Sequence, residues 1–350
     1  MKFAQSLCLD GKEIGLGKPI FIVAEIGINH NGSLELAKKT ILAAKESGAD
    51  SVKFQNYKTE DFIIDRAMTH TFTNKGASIE MGQYDMFKKY ELKDEQIIIL
   101  KKFCDDHNII FHSTPTSEHG IELLKRLQVP ILKNGSDFLT HKEILMAMAK
   151  SQLPTVLSTG MAKIQEIESA VEIFKKYNND KLILLHCTSS YPCPANKINL
   201  KKIKTLNTTF GTLSGFSDHS EGIYAAVSSV HYGAVWIEKH FTIDRNLEGP
   251  DHSFSLDPKD MKLLCSNIRN AEKAIGEDSL GYEDIEINSR QQFTLKCFAK
   301  KDIAIGEKFS MQNVCFARSN IDNSIPASMI NILEKLQSQK NFKQNEIIIF

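Results

Sequence analysis

The chain has 350 residues, 42% of them hydrophobic, with 43 Lys and Arg against 43 Asp and Glu. That length exceeds one small domain and suits a single large α/β domain with a small appendage. The balanced charge supplies no excess for a nucleic-acid or membrane surface as partner, so any anion binding has to be local.

The seven cysteines, with no CxxC pair among them, fit scattered thiols in a reducing compartment better than a disulfide framework. The first fifteen residues lack the apolar stretch of a signal peptide, and no run approaches membrane-spanning length, so the expected location is cytoplasmic.

In chain order, residues 1–17 read as a hairpin, because Asp10-Gly11 between Leu7-Cys8-Leu9 and Lys12-Glu13-Ile14 is a favoured two-residue turn. The hairpin is expected to plug one end of the large domain. Apolar runs rich in β-branched and aromatic residues then alternate eight times with helix-period segments. Strands are predicted over 20–26, 51–55, 109–113, 131–134, 155–158, 182–187, 212–216 and 235–240. Helices are predicted over 34–47, 94–107, 118–127, 164–177, 221–231 and 258–275, with Gly48, Gly160 and Gly276 at boundaries. Eight such units in a row predict a (β/α)8 TIM barrel over 18–277, its strands all parallel. A doubly wound open sheet competes, but AEIGINHNGS after the first strand lacks the GxGxxG spacing of such a sheet's phosphate turn.

Residues 56–93 are too many for a plain strand–helix connection and read as an excursion over the mouth of the barrel. Residues 278–292 are polar and helix-poor, as a linker would be. Residues 293–350 carry strand-like runs at 295–299 and 314–317, followed by 329–336 and 346–350, which predicts a small β-rich module.

The chemistry concentrates in GFSDHSEGIYAAVSSVHYGAVWIEKHF at 215–241. Two apolar segments about one helix apart each end in a histidine beside an acid, Asp218-His219 and Glu238-Lys239-His240. Neighbouring parallel strands would deliver both imidazoles to one rim. Imidazole suits divalent transition metals, and a pair of them leaves coordination positions for water and substrate.

In a barrel, chemistry belongs at the C-terminal strand ends. The polar residues expected there are Glu25, Lys53, Gln55, Thr114, Lys133, Ser136, Ser158, Thr188, Ser189, Tyr191, Ser217, Asp218, His219, Glu238 and His240. Lys53 and Lys133, with hydroxyls from Ser136, Ser158 and Ser217, would make a pocket for a phosphate and a carboxylate. A phosphorylated carboxylic acid is the simplest ligand that needs both. The same lysines admit an imine-forming aldolase, although an imine is its own electron sink and needs no metal. Glu25 and Glu238 suit either proton transfer at metal-bound water or orientation of the histidines. GPDHSFSL at 249–256 places Asp251 and His252 just past the last strand, within reach of the mouth.

The segments AEIGINHNGSLELA, VKFQ, STP, LSTGM, LLHCTSSYP, GFSDHSEG, IEKHFT and GPDHSFSLDP resemble, in order and spacing, the sialic acid synthases. These nonulosonate synthases condense phosphoenolpyruvate with an N-acylated hexose. The resemblance spans nearly the whole chain. It implies a metal-dependent barrel joined to a C-terminal antifreeze-like domain, in a domain-swapped homodimer where that domain caps the partner's site. By motif, His219 and His240 match the metal ligands, with Mn2+ expected and Mg2+ or Co2+ as alternatives. Lys53, Lys133, Ser136, Ser158, Ser189 and Ser217 match phosphoenolpyruvate contacts, joined by Thr114 from its strand-end position; Ser189 stands where a relative carries Asn. Glu25 matches the position at the metal-bound water and the sugar's reactive end, while Glu238 joins the catalytic set. Gln55, Tyr191 and Asp251 match sugar-facing positions.

Arg318 matches the arginine that reaches across the dimer to the sugar's N-acyl group. The chain departs from the family there, reading Arg318-Ser319-Asn320-Ile321-Asp322-Asn323 where Arg-Pro-Gly-x-Gly is usual. Losing Pro and both Gly changes the φ values that loop can adopt. It departs again at Lys133-Asn134-Gly135-Ser136, where Lys-Ile-Gly-Ser is commoner. Beside the synthase stand two other expectations: an imine-forming pyruvate lyase, and a non-catalytic binding protein with a vestigial barrel.

Overall fold

The computed structural model describes residues 1–74 and 77–349, so Phe350, which ends the last predicted run, lies outside the described residues. The chain forms two compact units, 1–276 and 277–349.

The first unit is a closed barrel of eight parallel strands: β1 (Phe21–Gly27), β2 (Ser51–Asn56), β3 (Ile110–Pro115), β4 (Leu132–Asn134), β5 (Thr155–Ser158), β6 (Leu182–Cys187), β7 (Leu213–Asp218) and β8 (Trp236–His240). Every strand pairs with its sequence neighbour and β8 closes on β1, aligning His240 with Glu25. The strands read as continuous apolar runs because both faces are covered. Their outward residues meet the helices in one large core with Ile41, Leu100, Leu124, Met148 and Phe174. Their inward residues near the N-terminal end form a second cluster with Phe21, Ile110, Ile131, Ile183, Leu213 and Trp236.

The hairpin Ser6–Leu9 and Lys12–Gly15 seals that end. Asp10 and Gly11 take φ values of 47° and 83°, the left-handed pair a type I′ turn requires. Leu7, Leu9 and Ile14 then insert into the inner cluster. Full burial of one such side chain contributes about 1.5–3 kcal/mol.

Helices Leu34–Glu46, Asp94–Asp106, Glu118–Arg126, Ile164–Lys176 and Pro258–Ile275 lie where their apolar period places them. The helix predicted at 221–231 is shorter, an α-helix Tyr224–Ser229 followed by a 3-10 turn Val230–Tyr232. Gly222 at φ 69° keeps the preceding turn out of helical geometry. The 56–93 excursion contains an antiparallel hairpin, Thr69–Asn74 with Ala77–Gly82, and two short helices, Thr59–Phe62 and Gln83–Tyr90.

In the second unit, Leu295–Ala299 pairs antiparallel with Val314–Arg318 over a small core that includes Cys297, Phe309, Ile325, Leu333 and Phe342. Two expectations are corrected here. The helix-poor linker carries a 3-10 turn Asp284–Glu286 and an α-helix Ile287–Phe293, the turn's start closed by Glu286 accepting from the Glu283 amide at 2.8 Å. The 329–336 run is helical, not extended, with Ile330–Leu333 following the 3-10 turn Ala327–Met329, because the period-four spacing Met329/Leu333 buries one side only.

Candidate active site

Inward-facing residues change character toward the C-terminal end of the barrel. Above the apolar floor, β1, β2, β4 and β8 present Glu25, Lys53, Lys133 and Glu238, each no more than 5% exposed. Lys53 Nζ lies 2.9 Å from Glu25 Oε2 and 3.5 Å from Glu238 Oε1, and Lys133 Nζ lies 3.4 Å from the same Glu238 oxygen. Hydroxyls complete the layer: Lys53 donates to Thr114 at 3.2 Å and Lys133 to Ser158 at 2.8 Å, while Ser217 donates to Glu238 at 3.5 Å.

Two ammoniums and two carboxylates thus share one buried network, and it treats the carboxylates unequally. Burial pushes Glu25 up to about 7, more than the neighbouring Lys53 can offset, with Glu238 adding to the rise. Burial opposes ionisation of Glu238 too, but Lys133 and Lys53 together outweigh it and hold that carboxylate down at about 2. One group is therefore poised to carry a proton near neutrality and the other is fixed as an anion. Burial lowers the Lys133 ammonium from its usual value. Lys53 is also penalised by burial, yet Glu238 and Glu25 raise it.

Backbone detail supports this layer. The β1–β2 register shifts between Glu25 and Gly27, and Gly27 sits at φ 52°. A side chain at Gly27 would press on Glu25 Oε1 at 3.0 Å and Gln55 Nε2 at 3.4 Å, so the bulge needs glycine for both backbone and space. Gln55 Nε2 donates to Glu25 Oε1 at 3.3 Å. At Gly160, a Cβ would collide with the hydroxyls of Ser189 and Ser136, and the Gly160 amide donates to Ser136 Oγ at 3.0 Å. Ser189 Oγ is buried with no hydrogen-bond partner among the described residues. This cluster of hydroxyls packed on bare backbone suits a compact anion.

At the rim, the His219 and His240 ring centroids are 5.3 Å apart, their planes inclined at 59°. His219 Nδ1 lies 3.0 Å from the Thr188 carbonyl, which fixes the proton on Nδ1 and leaves Nε2 free as a donor atom. His240 Nδ1 is buried without a hydrogen-bond partner among the described residues, with Asp251 Oδ2 3.5 Å away. Burial, reinforced by His219, keeps the His240 imidazole neutral, well below its ordinary value. A neutral His240 and a His219 whose Nδ1 is engaged by the Thr188 carbonyl, each with a ring nitrogen to spare, fit a divalent cation. Among the described residues, no group of three or more His, Cys, Asp or Glu side chains assembles for a metal, so the remaining coordination would fall to water and substrate.

The Tyr191 ring lies tilted against His219 with centroids 4.1 Å apart, and Phe254 lies 5.2 Å from His240. The loop carrying Asp251 is pinned by the next residue: His252 Nδ1 meets Thr242 Oγ1 at 2.7 Å and its Nε2 meets Asn31 Oδ1 at 3.1 Å. Burial raises Asp251 to about 6.

Of the barrel residues expected from sequence at the strand ends and mouth, all but Thr188, His252 and Asp218 line one cavity of ≈ 750 Å³ at the C-terminal rim. Asp218 faces the outer side of β7, fully buried against Lys239 at 2.9 Å, because strand alternation turns it away from Ser217. Arg318 lies in the second unit, its guanidinium 4.9 Å above the Phe293 ring. In the loop after it, Asn323 adopts the left-handed φ of 58°.

Several lining residues escaped sequence reasoning. Phe62, Phe87 and Phe138 form an aromatic wall that the excursion and the turn after β4 bring in, with Phe72 lining the cavity too, and no local spacing announces it. Cys187, whose Sγ is 3.8 Å from His219 Nδ1, was discoverable as the last inward residue of β6.

The fold and the cavity are those of a barrel enzyme with its polar machinery at the strand C-termini. A NeuB family profile matches residues 40–279, and the chain belongs to the NeuB family. It is 38% identical over 336 residues to the N,N'-diacetyllegionaminic acid synthase of Campylobacter jejuni, covering 95% of this chain and 99% of that protein. It is likewise 38% identical over 303 residues to a pseudaminic acid synthase of the same species, covering 85% and 86%. The crystal structure of a sialic acid synthetase from Leptospira borgpetersenii, in complex with citrate, superimposes with a TM-score of 0.73 at 36% identity, covering 83% of this chain and 98% of that one. Among the described residues no helix is long and apolar enough to cross a membrane.

Proposed function

We propose that this chain is a nonulosonate synthase that condenses phosphoenolpyruvate with an N-acylated hexose and releases phosphate. The acceptor is N-acetylmannosamine, giving N-acetylneuraminate, or a 6-deoxy diacetamido relative, giving legionaminate or pseudaminate. The observation that carries this reading is the convergence of Lys53, Lys133 and their hydroxyls with the His219–His240 pair in one cavity. A phosphate-and-carboxylate ligand needs the first group and a carbonyl electrophile the second.

Lys53 and Lys133 hold the phosphate and carboxylate as C3 of the enol attacks the open-chain aldehyde, water adds at C2 and phosphate leaves. Ser136, Ser158, Ser189, Ser217 and Thr114 supply the remaining donors. Glu238, held ionised, keeps both ammoniums charged, and Glu25 takes up or releases the proton that accompanies addition of water. Gln55, Tyr191 and Asp251 face the sugar. His219 and His240 would hold a divalent ion, Mn2+ foremost with Mg2+ or Co2+ as alternatives, which would supply Lewis-acid polarisation of the carbonyl. The second unit, 293–350 in the sequence-based division, acts as the antifreeze-like module of a domain-swapped homodimer, bringing Arg318 to the partner's sugar. The protein works in the cytoplasm.

One observation favours a second reading, an imine-forming pyruvate lyase: burial lowers the Lys133 ammonium, as an amine nucleophile would need. Borohydride trapping with pyruvate separates the two, since only the lyase would be captured. Phosphate release across N-acetylmannosamine and its 6-deoxy diacetamido relatives tests the leading reading and selects the sugar. No release with any of them, with phosphoenolpyruvate and Mn2+ present, would overturn it.

A further inference from the structure

The two histidine-bearing strands are joined by a second device on the face opposite the cavity. The β7–β8 ladder has three register pairs, Phe216 with Ile237, Ser217 with Glu238, and Asp218 with Lys239. It ends at the last of these, one residue before His219 and His240. Pairing between these two strands therefore stops where the imidazoles begin, although His240 remains in register with Glu25 of β1.

At that last pair the side chains take over. Lys239 Nζ lies 2.9 Å from Asp218 Oδ2, and the two side chains are 1% and 0% exposed. The same ammonium donates to the Ser220 carbonyl. The other carboxylate oxygen, Asp218 Oδ1, accepts from the Ser220 amide at 2.8 Å and from Ser220 Oγ at 2.7 Å. One lysine from β8 thus holds residues 218 and 220 together, bracketing His219, and is itself the residue before His240.

Stability does not demand such a pair. Taking two charges out of water costs several kcal/mol per ion, and well-packed apolar replacements are often neutral or better. What an apolar pair cannot do is fix a direction and a distance between two strand ends. We propose that Asp218 and Lys239 are positioning residues. Their ion pair clamps the ends of β7 and β8 so that the two imidazoles keep their 5.3 Å spacing, and this spacing sets the affinity for a divalent cation. The proposal rests on the reading of His219 and His240 as metal ligands.

The test is Mn2+ binding to the full chain, followed by electron paramagnetic resonance of the free ion, alongside thermal unfolding. The proteins compared are wild type, Lys239→Met, the double variant Asp218→Asn/Lys239→Met, and His219→Ala. Lys239→Met leaves a buried carboxylate unpaired and lowers the melting temperature. The double variant removes both charges while Asn keeps its bonds to Ser220, so it regains thermal stability. The expected result is that the double variant still binds Mn2+ about 10- to 100-fold more weakly than wild type, the usual cost of losing support behind a metal ligand. A double variant that regains both stability and Mn2+ affinity would overturn the positioning role and reduce the pair to packing. His219→Ala binding Mn2+ as wild type does, or wild type binding none, would instead overturn the metal reading and the clamp's purpose with it.

Discussion

The lower and upper halves of the barrel interior are built by the same eight strands and do opposite things. Below, Phe21, Ile110, Ile131, Ile183, Leu213 and Trp236 pack with the hairpin's Leu9 and Ile14 into an apolar floor. Above, Glu25, Lys53, Lys133 and Glu238 occupy the same inward register as a buried cluster of ionisable groups. The floor is what folding favours, mostly apolar area removed from water, although Trp236 Nε1 is buried there without a hydrogen-bond partner among the described residues. The upper layer opposes folding, since each charge must be matched by another and by hydroxyls. A chain selected for stability alone would carry the floor to the top. The change therefore marks where selection for chemistry takes over, and the two halves should respond to substitution in different ways.

The largest expected effect lies at the rim. His219→Ala and His240→Ala should each lower metal-dependent phosphate release by about 10³-fold or more, with the melting temperature nearly unchanged. Full activity of either variant in the presence of a chelator would remove the metal from the reaction.

The floor should show the converse. Ile14 is fully buried in the hairpin plug. Ile14→Ala should cost about 2–5 kcal/mol of stability in chemical denaturation while leaving both Michaelis constants as they are. A shift in either constant comparable with the loss of stability would mean that floor and site are mechanically coupled.

Between these extremes, Lys133→Ala removes one charge-assisted donor from the anion pocket, worth about 2–3 kcal/mol or roughly 30- to 150-fold. The effect should fall on the Michaelis constant for phosphoenolpyruvate and spare that for the sugar. An equal effect on both would place Lys133 outside the anion pocket.

How much of this could be read before folding obeys the same division. The strands were legible because burial on both faces makes them continuous apolar runs, and the hairpin because Asp10-Gly11 specifies its turn. Glu25, Lys53, Lys133, Glu238 and the two histidines were legible because polar residues at the ends of such runs have no structural reason to be there. Asp218 was misplaced to the mouth, since a strand end read without its register does not say which face a residue takes. The wall of Phe62, Phe87 and Phe138 was invisible for another reason. Its members come from segments that share no period and meet only through tertiary packing. The Ile287–Phe293 helix was missed because its segment is polar and buries no side chain, leaving no apolar stripe to read.

The smallest effect is the one that reads the upper layer most directly. In the free protein Glu25 stands at about 7, with Lys53 Nζ 2.9 Å away restraining a rise that burial drives. An anion seated against Lys53 adds negative charge beside Glu25 and engages the ammonium that favours its ionised form, so the Glu25 value rises on binding. Binding is then coupled to proton uptake. For a group whose value is higher in the complex, affinity does not depend on its titration below the free value, and weakens above it by up to tenfold per pH unit. The dissociation constant for phosphoenolpyruvate should therefore climb about tenfold per unit above pH 7 relative to Glu25→Gln, in which this component of the slope disappears. Calorimetry in buffers of different ionisation enthalpy would count the proton taken up by wild type. Parallel pH profiles for the two proteins would show that Glu25 keeps its charge when the anion binds, and that the four charges of the upper layer act as a fixed scaffold with no proton to exchange.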